Sequence, residues 1–279
     1  MNFGIAELKE ITVFMSKYSD MDYSNYTLSF LARRLSLIFT TLKIRQVEKF
    51  YQSLEDPDFR DRVKSLMCVP VTEMFRDPAF WRTLRSKILK NLPEKTDTIW
   101  LPLASGGEEA YSLSILLREK RVDKNYKILC NNPTSFLNEQ IVKGFINNKR
   151  MDINQTNYRR LEDQDNFLHY FDNADKVLIV SSEITKNIEC VTGNFITHLP
   201  HNRNIGLILF RNISLYYNPR MAESIYKILI EQLMPGGYLV IGIKDKLPKS
   251  VEEELTVVDE ADRIYQKPVL KRKQNYALF

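Results

Sequence analysis

The sequence predicts an α/β protein in which a small helical domain precedes a mostly parallel sheet with helices on both faces. Three observations carry that prediction. The first 68 or so residues show helical spacing without strand alternation. From about Ile99, short β-rich runs alternate with helical ones. Within that half, the run at Trp100 passes through small residues straight into a helix. Alternation of this kind implies parallel pairing, because each crossover helix returns the chain to the same end of the sheet.

The helical part reads as about four helices. Ile5, Leu8, Ile11 and Val13 form one apolar stripe, Leu28, Leu31, Leu35 and Ile38 a second, and Val47, Phe50, Tyr51 and Leu54 a third. Asp56-Pro57 marks the start of the fourth, where a proline costs no hydrogen bond. No Gly/Ser-rich linker follows, so this domain, residues 1–70, should pack against the rest, residues 71–270, with 271–279 as a tail. Strands are expected at 98–103, 125–130, 188–191, 204–210 and 237–242, with a final pair at 254–259 and 263–267. Helices are expected at 107–120, 134–147 and 219–234, the last opened by Asn218-Pro219 and closed by Pro235-Gly236-Gly237. A polar interruption spans about 148–187 and contains the run Lys176 to Ile184.

Composition excludes several classes. With 279 residues, 44% hydrophobic and 27% charged, the chain suits a soluble globular protein with an ample core. The first 20 residues lack an apolar leader, and the longest apolar runs are too short to span a membrane, so membrane insertion is not expected. Cys68, Cys130 and Cys190 are odd in number and widely spaced, the pattern of reduced thiols in a cytoplasmic protein. His169, His198 and His201 form no ligand pattern with them, so no metal site is expected. The net charge of +5 is scattered among acids, which suits a protein partner better than nucleic acid.

The segment WLPLASGGEEAYSLSILL, Trp100 to Leu117, reads as a buried strand, a small-residue turn through Ala104 and a helix start bearing two acids. Such a junction lets a ligand approach bare backbone N–H groups, and the end of a strand is where open α/β sheets bind nucleotides. Its glycines do not follow G-x-G-x-x-G, which disfavours a dinucleotide enzyme. Upstream lies VTEMFRDPAFW, from Val71; downstream come LILFRNISLYYNPR, from Leu207, and LMPGGYLVIG, from Leu233. This ordered set resembles the CheR-type chemotaxis receptor methyltransferases, S-adenosylmethionine-dependent protein-glutamate methyltransferases. The resemblance runs from about Phe3 to Lys267. It implies a class I, Rossmann-like methyltransferase domain with a seven-stranded sheet, an antiparallel last strand, and a small antiparallel β-insertion at about 148–187.

The resemblance also implies roles for single residues. Arg76 matches the arginine beside the transferred methyl, and a guanidinium suits a carboxylate acceptor because its fork bonds both oxygens. Tyr216 matches a tyrosine that lines the transfer pocket. Thr72 matches a contact to the cofactor's methionine portion, and Glu108, at a helix N-terminus, the acid that receives its amino group. Ala104 belongs to the same turn; Asn194 and Phe195 match a pair bordering the adenine, and Asn212 and Ile213 match the asparagine of the R-N element and the residue after it. Asn131 stands where the family places an acid that grips the ribose hydroxyls.

Several positions depart from the pattern. Asn131 replaces a charge-assisted hydrogen bond by a neutral one, Pro102 and Leu103 replace small residues, Gly106 replaces a threonine, and Ile243-Lys244-Asp245 replaces the family's late H/K-S/E-E element. The expected function is methyl transfer to glutamate side chains of a chemoreceptor or related signalling protein. The departures leave a second reading open, a non-catalytic binding module with weakened or lost cofactor binding.

Overall fold

The computed structural model describes residues 3–69, 73–119, 126–162, 166–174 and 177–269. Four helices come first: α1 (Ile5–Met15), α2 (Leu28–Thr41), α3 (Val47–Ser53) and α4 (Pro57–Met67). The Thr27 hydroxyl caps α2 by accepting from Phe30 N, and Asp56 accepts from Asp58 N ahead of Pro57. Their shared core is Leu8, Ile11, Met15, Leu31, Leu35, Ile38, Phe39, Phe50 and Leu54 with Val63 and Met67. The first stripe differs from expectation. Ile5 and Val13 are 63% and 67% exposed, because the inward face of α1 runs through Leu8, Ile11 and Met15 and leaves Val13 out of phase.

After α5 (Pro78–Thr83) the chain alternates β1 (Thr98–Leu101), α6 (Glu108–Glu119), β2 (Lys127–Asn132), α7 (Ser135–Val142) and α8 (Met151–Arg159). A hairpin of β3 (Phe171–Ala174) and β4 (Val177–Val180) follows, then α9 (Ser182–Thr185), β5 (Ile188–Thr192), β6 (Ile205–Phe210) and α10 (Pro219–Gln232). The chain continues through β7 (Leu233–Ile241), α11 (Lys249–Glu252), β8 (Thr256–Asp259) and β9 (Ile264–Gln266). The seven-stranded sheet has the order β5-β2-β1-β6-β7-β9-β8, parallel except where β9 pairs with β7 and β8. The expected insertion is a two-stranded antiparallel pair, preceded by α8, a helix the spacing did not predict.

Alternate side chains of the central strands feed two cores. Ile99, Leu101, Ile128, Cys130, Leu207 and Leu209 pack on the α5, α6 and α7 side. Trp100, Leu129, Ile208, Phe210 and Ile241 pack against Ile225, Tyr226 and Leu229 of α10. The N-terminal helices dock beside the ends of β2 and β6. Tyr216 N–H and C=O turn there, with Thr27 N donating to Tyr216 O at 2.8 Å and Asn218 N to Asn25 O at 2.8 Å. The Tyr26 and Tyr217 hydroxyls share a 2.9 Å hydrogen bond, as do those of Ser65 and Thr134.

Candidate functional site at the carboxyl edge of the sheet

β1 stops at Leu101, two residues before the expected end, because Pro102 has no N–H with which to extend the ladder. Ala104, buried, then donates its N–H to Asn131 O at 3.0 Å, and Ser105 N donates to Asn132 Oδ1 at 2.8 Å. Ser105 adopts φ +50° and Gly107 φ +90° to turn the chain into α6. A Cβ on Gly106 would lie 2.6 Å from Glu108 Oε2, so glycine leaves room for that carboxylate to fold back over the turn. Pro102 is buried, and Leu103 packs partly buried against the α10-side core.

Glu108 is 8% exposed, and its Oε2 has no hydrogen-bond partner. Burial pushes its carboxyl up to about 7, against the opposing pull of its own main-chain amide and of Arg150. Unpaired buried carboxylate oxygens are costly, so they mark places where a ligand completes the bonding.

The 73–77 segment is pinned across this turn. Phe75 N donates to Ser112 Oγ at 2.9 Å while Ser112 donates to Glu108 O at 2.6 Å; Met74 N donates to Asn154 Oδ1 at 2.9 Å. Phe75, Asp77, Ser105 and Asn212 all take left-handed backbone angles, a concentration of strain at one edge of the sheet. Two arginines here differ sharply. Arg211, 4% exposed, donates to Glu109 at 2.6 Å and to Asp77 at 2.8 Å, and its guanidinium lies 4.1 Å over the Phe80 ring. The side chain of Arg76 is 33% exposed and approaches Asp77 only to 4.0 Å. Glu73 pairs instead with Arg150 at 3.5 Å.

The loop after β6 is tied from one point. Asp245, 1% exposed, accepts from the N–H of Asn212, from Gly242 N at 2.8 Å, from Ser214 Oγ at 2.7 Å and from Leu215 N at 3.3 Å. Asn212 is half-buried with φ +57°, and a Cβ on Gly242 would meet its side chain at 2.5 Å. Ile213 is buried in the α10-side core, and Tyr216 stands half-buried with its ring 5.0 Å from Phe30 of α2.

At the end of β2 the Asn131 side chain is 2% exposed, and its Oδ1 accepts from Trp100 Nε1 at 2.8 Å. Asn194 is exposed and turns the chain by accepting from Ile196 N at 2.9 Å. Phe195 is buried, its ring 5.6 Å from Phe210. Thr72 lies outside the described residues. The structure thus gathers Ala104, Glu108, Arg76 and Asn212 around the ends of β1 and β6, sets Asn131, Asn194 and Phe195 at the ends of β2 and β5, and carries Tyr216 to the N-terminal helices. Sequence reasoning passed over Arg211, Asp245, Asn132 and Ser112. Asp245 stood there only as a departure from the family's late element, and Arg211 only as the first residue of the R-N element.

The family described as CheR methyltransferase, SAM binding domain, has a model that matches residues 70–263. The chain belongs to that family. A Pseudomonas putida protein called Cher3 is 25% identical over 90% of this chain and 92% of its own. The chemotaxis protein methyltransferase of Listeria monocytogenes is 23% identical over 81% and 85%, and Cher2 of Pseudomonas putida, named for the same activity, 21% over 88% and 92%. As a CheR-family protein the chain is a methyltransferase, and its methyl donor is S-adenosylmethionine.

The residues present fit that cofactor at its amino-acid end. An ammonium is the natural complement of the orphaned Glu108 oxygen, and the glycine turn beneath it supplies space rather than side chains. At Asn131, where the family resemblance implies the ribose, a neutral amide already engaged by Trp100 stands in place of an acid. No helix among the described residues is long and apolar enough to cross a membrane.

Proposed function

We propose that this protein methylates glutamate side chains of a chemoreceptor or related signalling protein in the cytoplasm. The contrast between Arg76 and Arg211 carries the reading. Arg211 is sealed in ion pairs, whereas Arg76 keeps a partly exposed guanidinium with only a 4.0 Å approach from Asp77. A planar, loosely engaged fork on the segment pinned to α6 through Ser112 is suited to hold an incoming carboxylate by both oxygens.

When bound, the cofactor supplies an electrophilic methyl on a sulfonium. The protein's task is then placement. A glutamate carboxylate, with a pKa of about 4.3, is ionised at neutral pH and needs no general base. Arg76 orients it; Glu108 holds the cofactor's ammonium; Ala104 and Asn212 line the cofactor at the strand ends; Tyr216 closes the side toward the N-terminal helices. Alignment of this kind supplies roughly 7–11 kcal/mol of barrier reduction. Asn131, Asn194, Phe195 and Ile213 would hold the cofactor's nucleoside, and Thr72 its methionine portion. The helical domain to residue 70 presents the acceptor.

Arg76→Ala tests the assignment. Labelled methyl incorporation into a purified receptor cytoplasmic fragment should fall by on the order of 100-fold or more. Calorimetric affinity for S-adenosylhomocysteine should stay within a fewfold. A folded variant that loses product binding and keeps its residual turnover in proportion would place Arg76 at the cofactor instead.

A further inference from the structure

Cys130 and Cys190 are direct partners in the ladder that joins β2 to β5. Their side chains share the face packed by Tyr111, Ile128 and Ile141. Neighbouring strands run about 4.8 Å apart, inside the Cα separation of roughly 4.4–6.8 Å that a disulfide spans. Both are free thiols, Cys130 fully buried and Cys190 half-buried on the outermost strand of the sheet. The neighbouring thiol lowers the Cys190 thiol from its ordinary value and, with burial, raises that of Cys130. Cys190 is the sulfur more open to an oxidant in solvent, and its resolving partner sits beside it on the neighbouring strand. Cys68 stands apart at the end of α4, where burial pushes its thiol up to about 12.

We infer that Cys130 and Cys190 form a dithiol site for hydroperoxide-class oxidants, closing to a disulfide between β2 and β5. In the first step the Cys190 thiolate attacks one peroxide oxygen. The O–O bond breaks, hydroxide departs and takes a proton to become water, and Cys190 is left as a sulfenic acid. In the second step the Cys130 sulfur displaces hydroxide from the Cys190 sulfur, and the Cys130 proton completes a second water. Two thiols lose two electrons, and one peroxide is reduced to two waters. A thiol reductant reverses the bond by exchange. The bond would lie one residue before Asn131 in β2.

The test is made on the reduced full chain with hydrogen peroxide as the probe, followed by alkylation, intact mass and a non-reducing peptide map. After alkylation under denaturing conditions the oxidised monomer should carry two fewer alkyl groups than the reduced chain and yield one linked peptide pair joining Cys130 to Cys190, both reversed by dithiothreitol. Cys68→Ser should behave as the parent, whereas Cys130→Ser and Cys190→Ser should each abolish the linked pair. In Cys130→Ser, a dimedone-type probe should trap the sulfenic acid on Cys190. An intact mass unchanged by excess peroxide overturns the proposal. So does oxidation that leaves oxygens on a single cysteine of the parent, or a dimer formed without a Cys130–Cys190 link.

Discussion

At the ends of β6 and β7, Arg211 and Asp245 are bonded from several sides at once, whereas at the end of β1 the Glu108 carboxylate keeps an oxygen with no partner. The two regions lie on adjacent strands and share the same exposed edge of the sheet. The first is a clamp. It ties α6 to the 73–77 segment through Glu109 and Asp77, and it fixes the Asn212 loop through a single buried acid. The second is an opening. Its glycine turn removes side chains where a ligand must approach, and its acid waits unpaired. Stability is concentrated on one side so that an uncompensated charge can be tolerated on the other.

The largest effect should come from breaking the clamp. Arg211→Met leaves Glu109 buried without its cation, a loss of about 3–5 kcal/mol, read from urea denaturation. If the loss is under about 1 kcal/mol, the pairing is ornamental and the contrast between the two regions fails.

Asp245→Asn is a gentler probe of the same side. It swaps an acceptor for an amide nitrogen that must face N–H donors, with an expected cost of about 1–3 kcal/mol in the same assay. Product affinity should fall as well, because the Asn212 loop loses its tether; unchanged affinity would detach that loop from the site.

The opening is tested by pH. Because Glu108 is raised to about 7 by burial, it is mostly protonated at pH 6 and mostly ionised at pH 8. An ammonium needs the ionised form, so S-adenosylhomocysteine affinity should rise about tenfold between those values. The linked stability runs the other way. A carboxyl raised in the folded state favours folding below its ordinary pKa and loses that contribution as pH climbs through about 7. Glu108→Gln should weaken product binding, flatten the affinity profile and remove this part of the stability loss at pH 8. A Gln variant that keeps the full pH dependence would assign it to another group.

Asn131→Asp should have the smallest effect. A charged acceptor contributes roughly 1.5–3 kcal/mol against about 1 for a neutral one, so product affinity should rise about tenfold or less. The new carboxylate would still face Trp100 Nε1 in a buried place, which trims the gain. No change in affinity would show that the ribose hydroxyls are held elsewhere.

Much of the architecture was legible in the chain because it is set by local pattern. Buried runs such as Ile205–Phe210, and the Asn218-Pro219 start whose Asn218 side chain caps α10 through Met221 N, specify their elements without help from the rest of the fold. The acid at the α6 N-terminus was equally plain, since a strand, small residues and a helix start determine where such an acid must stand. The helix α8 escaped notice because its weak spacing, Asn154, Asn157 and Tyr158, gains meaning only when the first two hold the Met74 backbone. Val13 was misplaced for the same kind of reason: it is apolar, yet the face α1 buries is chosen by what packs against it.

What the sequence determined by itself was therefore most of the order of elements and the family, properties that depend on neighbours a few positions away. What only the tertiary structure decided was which polar residues are committed. Arg76 and Arg211 both follow apolar Phe75 and Phe210, but only Arg211 meets two carboxylates and an aromatic face brought from 102 and 134 residues away. Asn131 is a free amide on paper and an acceptor for Trp100 in the fold, 31 residues distant. Whether a polar side chain is spent on the fold or left for a ligand depends on long-range partners, and the burial that makes such pairs strong exists only once the chain has closed around them.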